Sequence, residues 1–290
     1  MPDIQWFPGH MAKTFRELKE SIKLCDLVVE VCDARIVRSS RNPELQDIIQ
    51  GKQRIIALNK QDLADPLVNQ AWLNHFQDRG EPVLLLDARR AKDAQALQRM
   101  AKQLSAEILA KAKARGRVSR PIRILVAGIP NCGKSTLINS LIGKKRAQTA
   151  NKPGVTRQLQ WWKLGSDLQL LDSPGLLWPK LESREAQVAL GATGAVKDEI
   201  MARFDLAGEL IYRLAQIYPD LIFERFSIKL EDYQGDRQAE INHKILSQLA
   251  LDFGFLRQGG EPDLDRAADY ALQQFRQGRL GRLSLEMPQV

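Results

Sequence analysis

Eight residues, Gly128-Ile129-Pro130-Asn131-Cys132-Gly133-Lys134-Ser135, fit the pattern GxxxxGK[ST] and lie between an apolar run and a segment of helical spacing. Glycines in such a loop let backbone N–H groups wrap a β-phosphate at the start of a helix, where the dipole favours anions. Lys134 is expected to reach β- and γ-phosphate oxygens, and the Ser135 hydroxyl to ligate Mg²⁺. Further on, Asp172-Ser173-Pro174-Gly175 closes another apolar run, which places Asp172 to hold Mg²⁺ through water and the Gly175 N–H to meet a γ-phosphate. Thr156, in Pro153-Gly154-Val155-Thr156, lies between these motifs. Nucleotide switches place a threonine there that completes Mg²⁺ coordination only when the γ-phosphate is present. Thr149 is the other candidate.

A second group has the chemistry to read a base. Asn59-Lys60-Gln61-Asp62 follows the β-prone run Arg54 to Leu58, so its side chains emerge at a strand's carboxyl end, where open α/β sheets bind ligands. The Asp62 carboxylate can accept both N1–H and N2–H of guanine, whereas adenine offers neither donor in that geometry. A buried carboxylate left without those donors is costly, so discrimination of ~10⁴-fold or more is expected. This disfavours an ATPase or kinase use of the phosphate loop. Lys60 is expected along the base, Asn59 to tie this loop to the phosphate loop, and the Ala88 N–H of Asp87-Ala88-Arg89 to meet guanine O6. In many GTPases a glutamine after DxPG or DxxG orients the attacking water, but here Leu176 and Leu177 follow Gly175. Intrinsic hydrolysis should therefore be slow until a partner completes the site; supplied groups raise such rates by ~10³ to 10⁵.

Motifs this far apart need a scaffold that gathers them. Residues 10 to 24 carry Met11, Phe15, Leu18 and Ile22 at helical spacing. Short apolar runs follow at Leu27 to Cys32, Arg54 to Leu58, Val83 to Leu86 and Ile122 to Ala127, with helix-capable stretches at Asn69 to Gln77 and Ala94 to Lys113. Such alternation argues βαβ units and a parallel sheet. A helix is expected over Lys134 to Ile142, and a hairpin over Leu159 to Leu164 and Leu168 to Leu171 around Gly165-Ser166-Asp167. Ala110 to Arg123 reads as a basic linker or helix end. From about residue 186 the pattern is helical, around Ile200 to Ile217, Ala239 to Asp252 and Leu264 to Gln277, with no clear strand. Two domains are expected, 1–185 and 186–290.

At 290 residues the chain can bury a full α/β core plus a smaller second one. Its net charge of +8 is uneven: residues 1–189 hold 31 Lys and Arg against 19 Asp and Glu, and residues 190–290 hold 12 against 16. A domain at +12 beside one at −4 points the first toward a polyanion. Arg276, Arg279 and Arg282 form a local basic cluster able to meet phosphates in the second. Cys25, Cys32 and Cys132 make no CxxC pair and no metal-ligand cluster, which fits a reducing compartment. With no membrane-length apolar run and no signal-peptide pattern, a cytoplasmic protein is expected.

The sequence resembles the circularly permuted GTPases of the YlqF/YawG family. The resemblance spans nearly the whole chain and is carried by Trp6-Phe7-Pro8-Gly9-His10-Met11, Asp33-Ala34-Arg35 with Asn42-Pro43, Asn59 to Asp62, Gly128 to Thr136, Pro153 to Thr156 and Asp172 to Gly175. It implies an α/β fold, a Ras-like phosphate-loop GTPase domain opened at a new point, followed by a small all-α domain that binds RNA. It further implies GTP and GDP as ligands, with Mg²⁺, held by Asn59, Lys60, Asp62, Ala88, Asn131 to Thr136 and Gly175. GTP-dependent action on the rRNA and proteins of a large ribosomal subunit precursor is implied too, and a monomer is expected. GTPases similar to this one use the histidine of the PGHM segment on the attacking water, which makes His10 the first candidate; contact with RNA or a helix cap is its alternative. Relatives reading GxPNxGKS use the asparagine to hold K⁺, so Asn131 is either a K⁺ ligand or a turn residue. A timed GTP hydrolase and a GTP-gated RNA scaffold with incidental hydrolysis both fit.

Overall fold

The computed structural model describes residues 9–49, 51–114, 121–143, 159–175, 177, 183–196 and 202–289. It divides into two compact units, Met1–Lys180 with Glu286–Val290, and Leu181–Leu285. The division thus falls at 180/181 rather than 185/186, and the last five residues belong to the first unit.

In the first unit the order is α1 (Gly9–Ile22), β1 (Leu27–Asp33), α2 (Val37–Ser40), α3 (Pro43–Ile49), β2 (Gln53–Asn59), α4 (Pro66–Gln77), β3 (Val83–Leu86), α5 (Ala91–Ala114), β4 (Ile122–Ala127), α6 (Lys134–Ile142), β5 (Gln160–Leu164) and β6 (Leu168–Asp172). The strands form one sheet, β3-β2-β1-β4-β6-β5, parallel except for β5. Every residue of β1 is buried, as befits a central parallel strand covered on both faces. One core cluster joins Leu18 and Ile22 of α1 and Leu45 and Ile49 of α3 to Val28, Leu125 and Leu171 of the sheet. Another joins Val68, Trp72 and Phe76 of α4 to Cys32, Ile56, Leu58 and Val83.

The register explains how distant motifs meet. Asp33 pairs with Asn59, Asn59 with Leu86, and Val126 with Asp172, so these strands end together at their carboxyl edge. β1 stands where the sheet's order reverses, between β2, which leads into Asn59 to Asp62, and β4, which leads into Gly128 to Ser135.

Short α2 and α3 escape a reading by hydrophobic period, because polar contacts fix them. Asn42 Oδ1 accepts the N–H groups of Glu44 (2.9 Å) and Leu45 (3.3 Å) at the start of α3. Glu30, fully buried in β1, accepts from Gln46 of α3 and faces Arg41 and Arg54. At the other end of the chain, the Glu286 carboxylate accepts from the Ser39 N–H (3.0 Å) and hydroxyl, and its carbonyl accepts from Trp72 Nε1 (3.2 Å). These bonds place the C-terminal residues with the first unit.

The second unit comprises α7 (Arg184–Ala192), α8 (Arg203–Ile217), α9 (Pro219–Phe226), a 3-10 turn at Leu230–Tyr233, α10 (Gln238–Asp252) and α11 (Leu264–Arg276). Leu206, Leu210, Ile211 and Leu214 of α8 are buried with Ile245 and Leu249 of α10 and Leu272 and Phe275 of α11. Arg276 donates to the terminal carbonyls of α7, Gly191 O (2.8 Å) and Ala192 O (3.0 Å), where a cation suits the helix dipole. It is therefore committed to a helix end, and the basic cluster expected at Arg276, Arg279 and Arg282 loses one member to internal structure. The α9 helix went unread because its eight residues carry only Ile222 and Phe226 into the interior.

Candidate functional site

The phosphate loop runs from β4 into α6, with Gly133 at φ 101° as the last residue before the helix. Only glycine fits there: a Cβ would lie 2.2 Å from Asn59 Nδ2, and the φ is left-handed. Asn59 comes this close because it is the knot of the site. Its Nδ2 donates to Cys132 O (2.7 Å) and its Oδ1 accepts from the Ala88 N–H (2.9 Å). One side chain thereby joins the ends of β2 and β3 to the phosphate loop. The Ala88 N–H, expected at guanine O6, is committed to Asn59 in this structure.

Lys60, at φ 62°, donates from Nζ to Asn131 O (2.6 Å) and pairs with Asp33 Oδ2 (2.9 Å). Its stem is thus drawn taut across the loop. Asp33 is itself held by Arg35, whose N–H and Nε donate to Oδ1 (3.1 and 3.0 Å) while Nη2 donates to Oδ2 (2.8 Å). Burial alone would raise the Asp33 carboxyl, but Arg35 and Lys60 overcome it and hold the group well below the usual carboxylate range. Asp87 and Arg89 repeat the turn at the end of β3: N–H and Nε to Oδ1 (3.0 and 2.8 Å), Nη2 to Oδ2 (2.8 Å). Arg89 Nη2 also reaches Asp62 Oδ2 (2.6 Å).

Lys134 is buried and donates to Gly128 O (3.0 Å) and Ile129 O (2.7 Å), so its ammonium lies within the loop's own curl. Ser135 and Thr136 follow in the first turn of α6. Asp172 ends β6, one strand from the loop. Its Oδ1 is buried and meets no hydrogen-bond partner among the described residues. Burial pushes its carboxyl up to about 6, with Lys134 pulling the other way. A buried carboxylate oxygen without a partner among the described residues, within electrostatic reach of the phosphate-loop lysine, suits Mg²⁺, since that ion keeps several waters and needs only one or two protein oxygens. No group of three or more His, Cys, Asp or Glu side chains able to hold a metal occurs among the described residues.

Next in the chain, Ser173 Oγ donates to Val126 O (2.9 Å), and Gly175 lies against Pro130, where an added Cβ would be 2.6 Å from Cα. Gly175→Ala is therefore expected to force the Gly175 and Pro130 loops apart, lowering GTP affinity and turnover at a stability cost of ~1–3 kcal/mol. Nucleotide binding and melting temperature equal to those of the unsubstituted protein would show that the loops do not meet this closely in solution.

The structure thus brings together Asn59, Lys60, Asp62, Ala88, Asn131, Cys132, Gly133, Lys134, Ser135, Thr136, Asp172 and Gly175 along one sheet edge. Cys132 is buried, and burial raises its thiol. His10 is the second residue of α1, and its side chain lies outside the described residues, as do Thr149, Thr156 and Leu176. Reading the sequence by residue type gave Asp33, Arg35 and Arg89 no role. The signal was the repeated Asp-Ala-Arg after two strands, 33–35 and 87–89, flanking the strand that ends in Asn59.

A family model described as "50S ribosome-binding GTPase" matches residues 123–218, beginning inside β4. The chain is 42% identical over 286 residues to the ribosome biogenesis GTPase A of Bacillus licheniformis, covering 99% of each chain. The chain belongs to the ribosome biogenesis GTPase A family. A Thermotoga maritima member is 30% identical over 289 residues, covering 99% of this chain and 95% of that one. Among solved structures, GNP-bound YlqF from T. maritima aligns with TM-score 0.65 and 26% identity, over 96% of this chain and 99% of that one. As a member of the ribosome biogenesis GTPase A family the protein is a GTPase, binding GTP and hydrolysing it to GDP and phosphate. The family's circular permutation accounts for the motif order seen here, with Asn59 to Asp62 after β2 ahead of Gly128 to Ser135 after β4. No helix among the described residues is long and apolar enough to cross a membrane.

Proposed function

We propose that this GTPase acts on a precursor of the large ribosomal subunit in late maturation, and that the particle completes its hydrolytic site. The observation that carries this reading is the end-to-end match to a relative named ribosome biogenesis GTPase A, since both compact units and not the nucleotide site alone are shared. The excess of 31 cationic over 19 anionic side chains in residues 1–189 suits an rRNA surface.

In this reading Asp62 accepts the guanine edge, Lys60 lies along the base, and Lys134 leaves its two loop carbonyls to meet the β- and γ-phosphates. Ser135, Thr156 and Asp172 hold Mg²⁺, which when bound neutralises charge developing on the phosphates. The Gly175 N–H donates to the γ-phosphate. His10 orients the water once the particle docks, because the position after Gly175 is Leu176 and offers no polar group. Asn131 holds K⁺ beside the γ-phosphate. The protein works as a cytoplasmic monomer, its helical unit adding RNA contacts.

One assay tests the core of this. GTP turnover is measured with and without large ribosomal subunits, in K⁺ and in Na⁺, for the unsubstituted protein and His10→Ala. Stimulation of ~10²-fold or more by the particle, lost in His10→Ala and reduced in Na⁺, is expected. Turnover indifferent to the particle would instead favour a GTP-gated scaffold whose hydrolysis is incidental.

A further inference from the structure

The loop Asn59-Lys60-Gln61-Asp62 ends β2, and β2 lies between β1 and β3. Each neighbour ends in an Asp-Ala-Arg turn of one geometry, in which the arginine folds back on its own aspartate through N–H, Nε and Nη2. The two turns then grip the intervening loop with opposite members. From β1 it is the aspartate, Asp33, that takes Lys60 (2.9 Å); from β3 it is the arginine, Arg89, that takes Asp62 (2.6 Å).

We propose that Arg89 is a positioning residue for base specificity, bridging Asp87 to Asp62 so that the Asp62 carboxylate is held in the orientation that guanine requires. This rests on the reading of Asp62 as the acceptor of guanine N1–H and N2–H.

The chemistry favours a bridge over a plug. Guanine asks two parallel bonds of one carboxylate, and a free carboxylate rotates about its last torsion, a soft two-fold angle. A third bond to Asp62 Oδ2 from a fixed point removes that freedom. Arg89 is such a point, because its fork is already locked on Asp87, itself 96% buried. A carboxylate has about four lone-pair sites, so one can remain with Arg89 while guanine takes one on each oxygen. The Arg89 side chain is 65% exposed, so it lies outside the core. Lysine would not substitute: a point charge on a flexible stem can reach either aspartate but cannot fork between them.

The test compares GDP with inosine diphosphate, whose base lacks the 2-amino group, by calorimetric titration of the full chain. In Arg89→Ala, GDP affinity is expected to fall ~10-fold and inosine diphosphate affinity no more than ~3-fold, because only guanine uses both bonds to the oriented carboxylate. The preference for GDP therefore narrows, and Arg89→Lys falls in between. Equal weakening of the two ligands would mean a merely structural role, and tighter GDP binding would mean a plug; either overturns the proposal, as does full recovery in Arg89→Lys. Asp62→Asn separates the underlying reading. If it still binds GDP normally, the reading of Asp62 fails; if it loses GDP while Arg89→Ala keeps the full preference, the bridge alone fails.

Discussion

Asp33→Asn is expected to lower the stability of the nucleotide-free protein by ~3–5 kcal/mol at neutral pH, because it strips one charge from a buried set and leaves two cations facing each other. Asp33 is 1% exposed and Arg35 2%, and Lys60 shares the same carboxylate oxygen that Arg35 Nη2 uses. Asparagine keeps the shape and one acceptor, so the loss is electrostatic rather than a cavity. For a domain of this size such a loss shifts melting by ~10 °C. GTP affinity should fall with it by ~10-fold or more, since Lys60 would be held across the phosphate loop only by its bond to Asn131 O.

The same group fixes the direction of a pH dependence. Because Arg35 and Lys60 hold the folded Asp33 below its ordinary value of 3.8, the folded state binds fewer protons than the unfolded chain near that value. The contribution is complete above about pH 5 and is lost as the pH falls below about 4. Melting curves of the two proteins should run parallel from pH 6 to 8 and converge in acid. If Asp33→Asn melts with the unsubstituted protein at pH 7, the buried set is not a structural strut of the loop Asn59 to Asp62.

That strut marks the limit of what residue patterns disclose. The β-strands were legible because a parallel sheet covered on both faces demands mostly apolar runs, as in Leu27 to Cys32 and Ile122 to Ala127, each interrupted by a single charged residue, Glu30 and Arg123. The phosphate loop was legible because backbone wrapping needs glycine at fixed offsets. Asn59 as a tie between loops was legible from its place at a strand end, and its bond to Cys132 O is that tie. Partnership across strands was not legible. That Asp33 serves Lys60 follows from a register of β1 against β2, and no local pattern states the register. Nor could the return of Glu286 to Ser39 and Trp72 be read, since a single carboxylate near a chain end has no periodicity. Nor does residue type disclose that the Ala88 N–H has an acceptor within the protein, Asn59 Oδ1 at 2.9 Å.

Asp172→Asn is expected to do two opposed things, and the opposition identifies the residue as a ligand rather than a support. In the nucleotide-free protein the carboxylate is a cost. Its folded value is pushed up to about 6 from 3.8, chiefly by burial, so between those values the folded state binds more protons than the unfolded one. Stability contributed by this group therefore declines as pH rises from about 4 to about 6 and stays low above that, by ~3 kcal/mol at about 1.4 kcal/mol per unit. Asparagine carries no charge to desolvate. At pH 7.5 the nucleotide-free variant should melt several degrees higher, and near pH 4 the two proteins should coincide. With GTP and Mg²⁺ present the order should reverse, because only the carboxylate gains from the cation, and GTP turnover in the variant should fall by ~10² or more. The paired measurement is needed because loss of turnover alone would follow from any damage near Lys134. A nucleotide-free variant that melts lower at pH 7.5 would mean that Asp172 supports the fold through its charge, and the magnesium role would then have to be sought among the other residues of this edge.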